Sequence, residues 1–216
     1  RPAVRPLDCH CHLLPGLDDG ARDLPEALAM AAALAGAGVV EVVATPHVSS
    51  DQFPLSRTQI EQACAQLQAE LVKAGSALRL RPGAEYYLEP ALLARLEGEG
   101  LLGWDGRVLV ELPLQPRLAP ATLALLERLR AVGHRPVVAH AERVPAFYCS
   151  REEALRLRES GVELQVNYSA FGKRGPERDL ARWLLDRGAV DAWGSDLHRA
   201  PAGGDLFARR ATGGGR

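Results

Sequence analysis

The sequence has little cysteine and no long apolar run. Four cysteines among 216 residues are too few for a disulfide framework in a chain of this length, so a reducing cytoplasm is the expected environment. No apolar stretch approaches the ~20 residues that a membrane helix requires. The first residues indicate a strand and not a signal peptide. We therefore expect a cytoplasmic protein that is not an integral membrane protein.

The chain also lacks an excess of charge and several well-known catalytic motifs. Lys and Arg number 26 against 27 Asp and Glu, so the charge pattern that accompanies nucleic-acid binding is missing. No GxGxxG or Walker motif supports an open nucleotide-binding sheet. No cysteine has an arginine six positions later, and no G-x-S-x-G motif occurs. A cysteine-based phosphatase and a serine hydrolase are thereby disfavoured.

Strand-like and helix-like segments alternate along the chain, and 47% of the residues are hydrophobic, which is typical of a globular core. Apolar segments predict seven strands, at 7–12, 39–44, 78–81, 108–112, 136–139, 162–166 and 189–193. Helices are predicted between them, at 24–37, 56–74, 89–99, 120–132, 150–160 and 176–187. Repeated βα alternation implies parallel strands. We predict an α/β fold, a distorted (β/α)7 TIM-like barrel in a single domain over residues 1–200, followed by a short flexible tail over 201–216.

Histidines and acidic residues stand where the predicted strands end. Five of the six histidines do so, together with acidic residues at similar positions, in the segments 8–12, 45–47, 83–85, 110–113, 140–143 and 195–198. Inward-facing barrel positions normally hold Val, Ile or Leu, whereas imidazole and carboxylate bind divalent transition metals. Collecting such groups from many strand ends builds a multi-metal hydrolase site.

The spacing within the first segment separates ligands from packing residues. His10 and His12 lie two apart, so both point to one face of a strand, and Asp196 and His198 repeat that spacing. Cys9 and Cys11 should then point to the opposite face, toward the helices, as small buried hydrophobic residues. Asp18 and Asp19 follow in a tight loop, where one is expected to be a ligand and the other a turn residue.

Six motifs of the chain resemble those of the PHP (polymerase and histidinol phosphatase) metallohydrolases. The branch it resembles is that of the bacterial capsule and exopolysaccharide protein-tyrosine phosphatases of the CpsB/YwqE type. The opening H-x-H-x-x-P-G-x-D-D-G, residues 10–20, is the most specific match. The others are Thr45-Pro46-His47, Gly83-Ala84-Glu85, Glu111-Leu112-Pro113, His140-x-Glu142-Arg143 and Ser195-Asp196-x-His198.

The resemblance implies three divalent metal ions, with manganese expected and iron, cobalt or zinc as alternatives. It assigns the first ion to His10, His12, Glu85 and Asp196, and the second to Glu85, Glu111 and His140. It assigns the third to His47, His198 and Asp19, with Asp18 as the alternative ligand. Catalytic roles are implied for Arg143, Asp196 and His198, of which Arg143 would contact the substrate phosphate. Further candidates for substrate binding are Tyr148, Asn167 and Arg199.

The implied function is a metal-dependent protein-tyrosine phosphatase, in which a metal-bridging hydroxide hydrolyses phosphotyrosine. The implied partner is the tyrosine kinase of capsular or exopolysaccharide synthesis. One alternative is histidinol-phosphate phosphatase or another small phosphomonoesterase, and another is a polymerase-associated exonuclease module. A catalytically weakened metal-binding interaction module is a third alternative, because Arg199 and glycine-rich sequence stand where the family usually has Asn and Arg. The sequence leaves the oligomeric state open.

Overall fold

The computed structural model describes residues 2–172 and 174–207. Within these residues the strands are β1 Leu7–Cys11, β2 Glu41–Ala44, β3 His47–Val48, β4 Arg79–Pro82, β5 Glu85–Tyr87, β6 Arg107–Glu111, β7 Arg135–Val138, β8 Glu163–Asn167 and β9 Ala192–Gly194. The helices are α1 Leu24–Gly36, α2 Arg57–Lys73, α3 Ala91–Gly98, α4 Pro120–Ala131, α5 Pro145–Cys149, α6 Arg151–Glu159 and α7 Pro176–Asp186. Every predicted strand and helix is present, and the short elements β3, β5 and α5 are additional to the prediction.

The strands form two parallel sheets. One has the order β1-β2-β4 and the other the order β3-β5-β6-β7-β8-β9. The predicted second strand corresponds to β2, and the unpredicted β3 follows after Thr45 and Pro46, where proline lacks the N–H that a ladder needs. The predicted third strand corresponds to β4, and the unpredicted β5 follows after Gly83, where a Cβ atom would lie 2.4 Å from Val43 Cγ1.

Backbone hydrogen bonds connect the two sheets at their carboxyl ends. Thr45 N, just after β2, donates to Cys11 O of β1 at 2.9 Å, and Glu85 N of β5 donates to Pro46 O, just before β3, at 3.0 Å, so the pairing in each sheet continues up to the segment that joins β2 to β3. Beyond β9, Asp196 N donates to His10 O at 2.7 Å and His12 N donates to Leu197 O at 3.0 Å. The fold is therefore a mixed α/β domain of parallel strands, and the closed barrel of seven units stays a prediction.

Local signals in the sequence explain where the helices begin. Ser56 and Gln59 form a reciprocal capping box at the start of α2, in which Ser56 N donates to Gln59 Oε1 at 2.8 Å. Asp23 accepts a hydrogen bond from Glu26 N at 2.9 Å at the start of α1. Both caps satisfy N–H groups that a helix leaves without partners in its first turn.

The prediction that Cys9 points toward the helices is wrong. Cys9 packs in a small apolar cluster on the inner face of the strands, with Val43, Trp104, Leu109, Val137, Ala139 and Ala192. Cys11 belongs instead to the large core that includes the helices, as predicted. The pairing of β1 with β2 shifts register between Asp8 and Cys11, and such a bulge interrupts the alternation of side chains along a strand.

Part of the segment predicted as a flexible tail is packed against the domain. Leu206 is buried with 2% of its surface exposed, and the ring of Phe207 meets that of Tyr168 edge-on at 5.9 Å between centroids. The remainder of that prediction, residues 208–216, lies outside the described residues. Among the described helices, none is long and apolar enough to cross a membrane.

Candidate metal centre

The structure brings all nine residues predicted as metal ligands together at the carboxyl ends of the strands. His10 lies on β1 and His12 directly follows it, while His47 and Glu85 begin the short strands β3 and β5. Glu111 ends β6, and the remaining candidates lie in segments that follow β1, β7 and β9. Short distances between their ligand atoms connect His10, His12, Asp19, His47, Glu85, Glu111, His140, Asp196 and His198.

The first group contains two imidazoles and two carboxylates. His10 Nε2 and His12 Nε2 are 3.1 Å apart. Glu85 Oε2 lies 3.2 Å from His10 Nε2 and 3.3 Å from His12 Nε2. Asp196 Oδ1 lies 3.5 Å and 3.4 Å from the same two nitrogens. Atoms that bind one tetrahedral ion at about 2.1 Å are about 3.4 Å apart, so the spacing of His10, His12 and Glu85, whose ligand atoms all lie within 4.8 Å of one another, suits a metal ion.

The hydrogen bonds behind the two rings also favour a cation between them. His12 Nδ1 lies 2.7 Å from Asp18 Oδ2, and His10 Nδ1 lies 3.0 Å from Gln165 Oε1. Because both oxygens are acceptors, each ring donates from Nδ1, and in a neutral ring Nε2 then carries only a lone pair. Two lone pairs 3.1 Å apart repel each other unless a proton or a metal ion lies between them. The donor set therefore fits a bound metal ion.

A second group is formed by Glu85, Glu111 and His140. His140 Nε2 lies 2.9 Å from Glu85 Oε1 and 3.6 Å from Glu111 Oε1. Glu85 thus directs one oxygen to the first group and the other oxygen to the second. Burial alone would raise the pKa of Glu85, but His10 and His47 hold it well below its usual value. The carboxylate is therefore ionised, as it would have to be to hold a metal ion.

A third group settles which of the two loop aspartates faces the centre. Asp19 Oδ1 lies 3.2 Å from His198 Nε2 and 3.5 Å from His47 Nε2. Asp18 lies behind the centre, where it accepts hydrogen bonds from His12 Nδ1, from Gly20 N at 2.8 Å and from His47 N at 2.9 Å. Asp18 therefore orients a candidate ligand, and Asp19 is placed to be one.

Two residues of the centre have a left-handed backbone. His140 has φ 34° and ψ 56°, and Asp196 has φ 52°. This region costs a residue with a side chain about 1–2 kcal/mol. Such strain persists where the surrounding structure holds it, and it is concentrated at functional sites.

Arg143 brings a positive charge to the edge of the centre. Its Nη1 donates to Asp196 Oδ2 at 2.8 Å. Burial would lower the pKa of Arg143, but Asp196 and Glu142 raise it above its ordinary value, so the side chain stays charged. Arg143 lines a cavity of about 630 Å³ together with His47, Glu111, Leu114, His140, Tyr148, Pro176, Glu177, Asp196 and His198.

The three other candidates for substrate binding have different surroundings. Tyr148 lines the same cavity as Arg143, and its hydroxyl donates to Glu142 O. Asn167 is buried and donates from Nδ2 to Asp196 Oδ2 at 2.9 Å. Arg199 does not line the cavity: its Nη1 donates to the carbonyl oxygens of Asp19, Gly20 and His198. Arg199 thus holds the loop that carries Asp19.

The sequence assigned no role to three buried polar residues that lie beside the centre. Gln165 contacts His10, and Glu142 accepts from Asn167 N at 3.3 Å. Asp8 accepts from Ser195 N at 2.9 Å and so connects β1 to the segment after β9. Burial raises the pKa of Glu142 to about 7 and that of Asp8 to about 6. The available signal was a polar residue inside an apolar strand, as Gln165 is within 162–166.

A parallel α/β domain whose strand ends hold a buried cluster of imidazoles and carboxylates is the architecture of a metal-dependent hydrolase. The chain belongs to the CpsB/CapC family of capsular polysaccharide synthesis, whose sequence model matches residues 6–203. It is 30% identical over 200 residues to the tyrosine-protein phosphatase YwqE of Bacillus subtilis (strain 168), a match that covers 89% of this chain and 77% of the relative. It is 25% identical over 201 residues to the tyrosine-protein phosphatase CpsB of Streptococcus pneumoniae, covering 89% and 82% of the two chains.

Solved structures agree with this assignment. The fold is similar to a chain from the crystal structures of YwqE from Bacillus subtilis and CpsB from Streptococcus pneumoniae, described as unique metal-dependent tyrosine phosphatases. The TM-score is 0.83 at 26% identity, and the match covers 89% of this chain and 79% of that chain. The histidinol phosphate phosphatase of Lactococcus lactis subsp. lactis Il1403, solved with zinc, L-histidinol and phosphate, shares the fold, with a TM-score of 0.58 at 16% identity over 90% of this chain and 87% of that chain.

Proposed function

We propose that this chain is a metal-dependent protein-tyrosine phosphatase that acts on the tyrosine kinase of capsular or exopolysaccharide synthesis. The observation that carries the proposal is that two carboxylates each lie within 3.5 Å of the same two imidazole nitrogens, beside a charged arginine at the wall of a cavity. The phosphatase relatives support the reaction class. We also propose a cytoplasmic location, because the four cysteines are free and form no disulfide framework.

We further propose three divalent ions, manganese first and iron, cobalt or zinc as alternatives. His10, His12, Glu85 and Asp196 would hold the first, and Glu85, Glu111 and His140 the second. The third would be held by Asp19, His47 and His198, while Asp18 fixes the ring of His12. When bound, the ions would lower the pKa of water toward neutrality and offset charge on the phosphoryl group.

The side chains around the cavity divide the remaining tasks. Arg143 presents a planar fork of donors to the phosphoryl oxygens, a geometry that suits phosphate. Asp196 holds that fork in place through its Oδ2, and His198 holds Asp196 through a hydrogen bond from Nδ1 to the main-chain oxygen at 3.0 Å. Tyr148 and Pro176 supply an apolar wall against which the aromatic ring of a phosphotyrosine can pack.

Cys9 and Cys11, which lie next to the candidate ligands in the sequence, have no part in this reaction. Cys9 and Cys11 are buried, and burial raises the pKa of both thiols well above the ordinary value. A thiol in that state is protonated and a poor nucleophile. The mechanism therefore needs no nucleophile from the protein.

The hydrogen bonds that join the two sheets support a finer account of the fold. We propose that β2 with β3, and β4 with β5, each act as one bent strand, which gives seven strands in a distorted ring. The contacts of His10 and His12 with the segment 196–197 would close that ring. One barrel domain over residues 1–200 would then carry the whole site.

Hydrolysis of a phosphotyrosine peptide, measured with manganese and with EDTA, tests the proposal. Arg143→Ala should lower kcat by about two to three orders of magnitude and leave the metal content unchanged, as loss of a preorganised donor does. Arg143→Lys should restore little, because a point charge does not replace the fork.

The matched control is Arg22→Ala, since Arg22 is an exposed arginine paired with Glu26. It should leave kcat unchanged. A wild-type protein that carries its metals yet hydrolyses no phosphotyrosine would contradict the proposal and favour the weakened interaction module. Faster hydrolysis of histidinol phosphate than of the peptide would favour the small-molecule phosphatase.

A further inference from the structure

Gln165 is a buried glutamine at the middle of β8, directly behind the metal centre. Its neighbours Leu164 and Val166 belong to the core that includes the helices, so Gln165 occupies the opposite face of the strand. Its Oε1 lies 3.0 Å from His10 Nδ1 and accepts a hydrogen bond from His140 N at 2.7 Å. Its Nε2 donates to Asn167 Oδ1 at 2.7 Å. One side chain thus contacts two candidate ligands and a third polar residue.

Groups at the two ends of this network determine which atom donates and which accepts in each of its hydrogen bonds. At one end the carboxylate of Asp196 can only accept, so Asn167 turns its amide nitrogen to Asp196 and its oxygen to Gln165. At the other end the backbone N–H of His140 can only donate, so it meets the oxygen of Gln165. Both constraints place Oε1 of Gln165 against the ring of His10.

This orientation decides which nitrogen of His10 carries the hydrogen. Since Oε1 only accepts, the hydrogen lies on Nδ1, and Nε2 of the neutral ring directs its lone pair at His12, Glu85 and Asp196. Asp18 does the same for His12. The difference is that a neutral amide supports His10, whereas a carboxylate supports His12.

The same network reaches the two residues with a strained backbone. Gln165 accepts a hydrogen bond from the backbone N–H of His140, and its other partner, Asn167, donates to Asp196. His140 and Asp196 are the two residues of the centre with a left-handed backbone. The packing is close as well, because a Cβ on Gly194 would lie 2.9 Å from Gln165 Nε2 and 2.5 Å from His10 Cβ. The network leaves little room for the ring of His10 to turn.

We propose that Gln165 is a positioning residue of the metal centre: it fixes the tautomer of His10 and couples His10, His140 and Asp196. The inference rests on the metal centre of the proposed function and extends it to a residue that touches neither ion nor substrate. Partners behind a ligating histidine typically change metal affinity by about 10- to 100-fold when they are removed. Replacement of Gln165 should therefore weaken metal binding while the protein stays folded.

The first experiment measures manganese affinity by competition with a chromophoric chelator. Gln165→Met keeps the size of the side chain and removes the acceptor, and it should weaken binding by about 10- to 100-fold. Gln165→Glu keeps an acceptor for both His10 and His140, so it should bind manganese more tightly than Gln165→Met does. Equal affinities for wild type and Gln165→Met, or for the two variants, would overturn the inference.

Gln68→Met is the matched control. Gln68 joins α2 to β4, since its Nε2 donates to Leu78 O at 3.2 Å and its Oε1 accepts from Leu80 N at 2.7 Å. Its replacement also removes two hydrogen bonds to the main chain, but far from the centre. It should lower the free energy of unfolding and leave manganese affinity unchanged. If it weakens binding as much as Gln165→Met, a general loss of stability explains both, and the inference is wrong.

The second experiment uses the wild-type protein, so it tests the inference even if Gln165→Met does not fold. In the zinc-loaded wild type labelled with ¹⁵N-histidine, His10 should carry its hydrogen on Nδ1 and its metal on Nε2. The reverse assignment would overturn the inference and leave the proposed phosphatase function untouched. A wild type that binds neither manganese nor zinc would overturn both.

Discussion

Strand β6 contributes to two chemically opposite parts of the inner face. Leu109 belongs to the inner apolar cluster, which also contains Cys9, Val43, Trp104, Val137, Ala139 and Ala192. Glu111, two residues further on, faces His140 in the metal centre. In the same way, Cys9 of β1 belongs to the apolar cluster, whereas His10 of the same strand belongs to the metal centre. The half of the inner face near the amino ends of the strands, the amino half, is apolar and closely packed. The half near their carboxyl ends, the carboxyl half, carries the candidate metal ligands.

The two halves depend on different sources of free energy. Burial of a large apolar side chain stabilises the amino half by about 1.5–3 kcal/mol for each residue. The carboxyl half instead buries charged groups and strained backbone, and these destabilise the fold unless cations compensate them. We therefore expect substitutions in the two halves to separate stability from metal binding.

Glu85→Gln should have the largest effect, because Glu85 is shared between two groups of ligands. We expect phosphatase activity to fall by roughly three or more orders of magnitude, the range of several kcal/mol that metal ions contribute to catalysis. Elemental analysis should show loss of metal, while circular dichroism shows a folded domain. Glu70→Gln, an exposed glutamate paired with Lys73, is the control and should change neither quantity. Retention of full metal content by Glu85→Gln would refute its bridging role.

Leu109→Ala should have the opposite effect: it should lower the stability of the fold and leave metal binding unchanged. Leu109 is fully buried, and truncation of such a side chain typically costs about 2–5 kcal/mol in the free energy of unfolding. The fraction that is folded should still bind metal and turn over substrate normally. Urea unfolding followed by a metal titration measures both. Leu123→Ala, at an exposed position on α4, should cost less than about 0.5 kcal/mol. A loss of metal affinity in folded Leu109→Ala would show that the two halves are not independent.

Glu142→Gln tests how much the buried carboxylate of Glu142, next to the centre, lowers the free energy of unfolding. Burial raises the pKa of Glu142 from 4.5 to about 7, so the folded state holds its proton more tightly than the unfolded state. The stability of the metal-free protein should therefore fall as the pH rises from about 4.5 to about 7, by up to about 3 kcal/mol. Glutamine has no proton to lose, so the variant should lack this contribution.

The measurement for Glu142 is the difference in the free energy of unfolding between variant and wild type across that pH range. Other titrating groups, including His10 and His12, act in both proteins and are largely removed by the subtraction. The difference should grow with pH in favour of the variant and then level off above about pH 7. A difference that is independent of pH would mean that Glu142 keeps its ordinary pKa in the folded protein.

Cys9→Ala should have the smallest effect. It removes one heavy atom from the inner apolar cluster, which typically costs about 1 kcal/mol. Neither Cys9→Ala nor Cys11→Ala should change phosphatase activity, and thiol alkylation should inhibit far less than EDTA. Strong inhibition by alkylation together with resistance to EDTA would identify a thiol phosphatase and rule out the metal mechanism.

The sequence predicted the strands and helices because their signals are local. Apolar runs mark the strands, and Ser56, Pro120 and Gly161 mark helix ends. The ligand positions were predictable for a related reason, since His and acidic residues at strand ends contradict the usual apolar filling of a barrel. The resemblance of their motifs to a known family assigned them to particular ions.

The features that the sequence did not predict depend on contacts between distant segments. The register shift that turns Cys9 inward arises from the pairing of β1 with β2. The left-handed backbone of His140 and Asp196 has no signal, since neither is glycine. Gln165 has no distinctive chemistry of its own, and its importance arises only because folding brings His10, His140 and Asn167 to it.

The number of metal ions bound per chain tests the central claim most directly. Metal-free protein can be titrated with manganese to saturation and the bound ions counted by elemental analysis after removal of free metal. Three groups of ligand atoms at the carboxyl ends of the strands predict three ions per chain. At most one ion at saturation would contradict this account, because Glu85 would then have nothing to bridge.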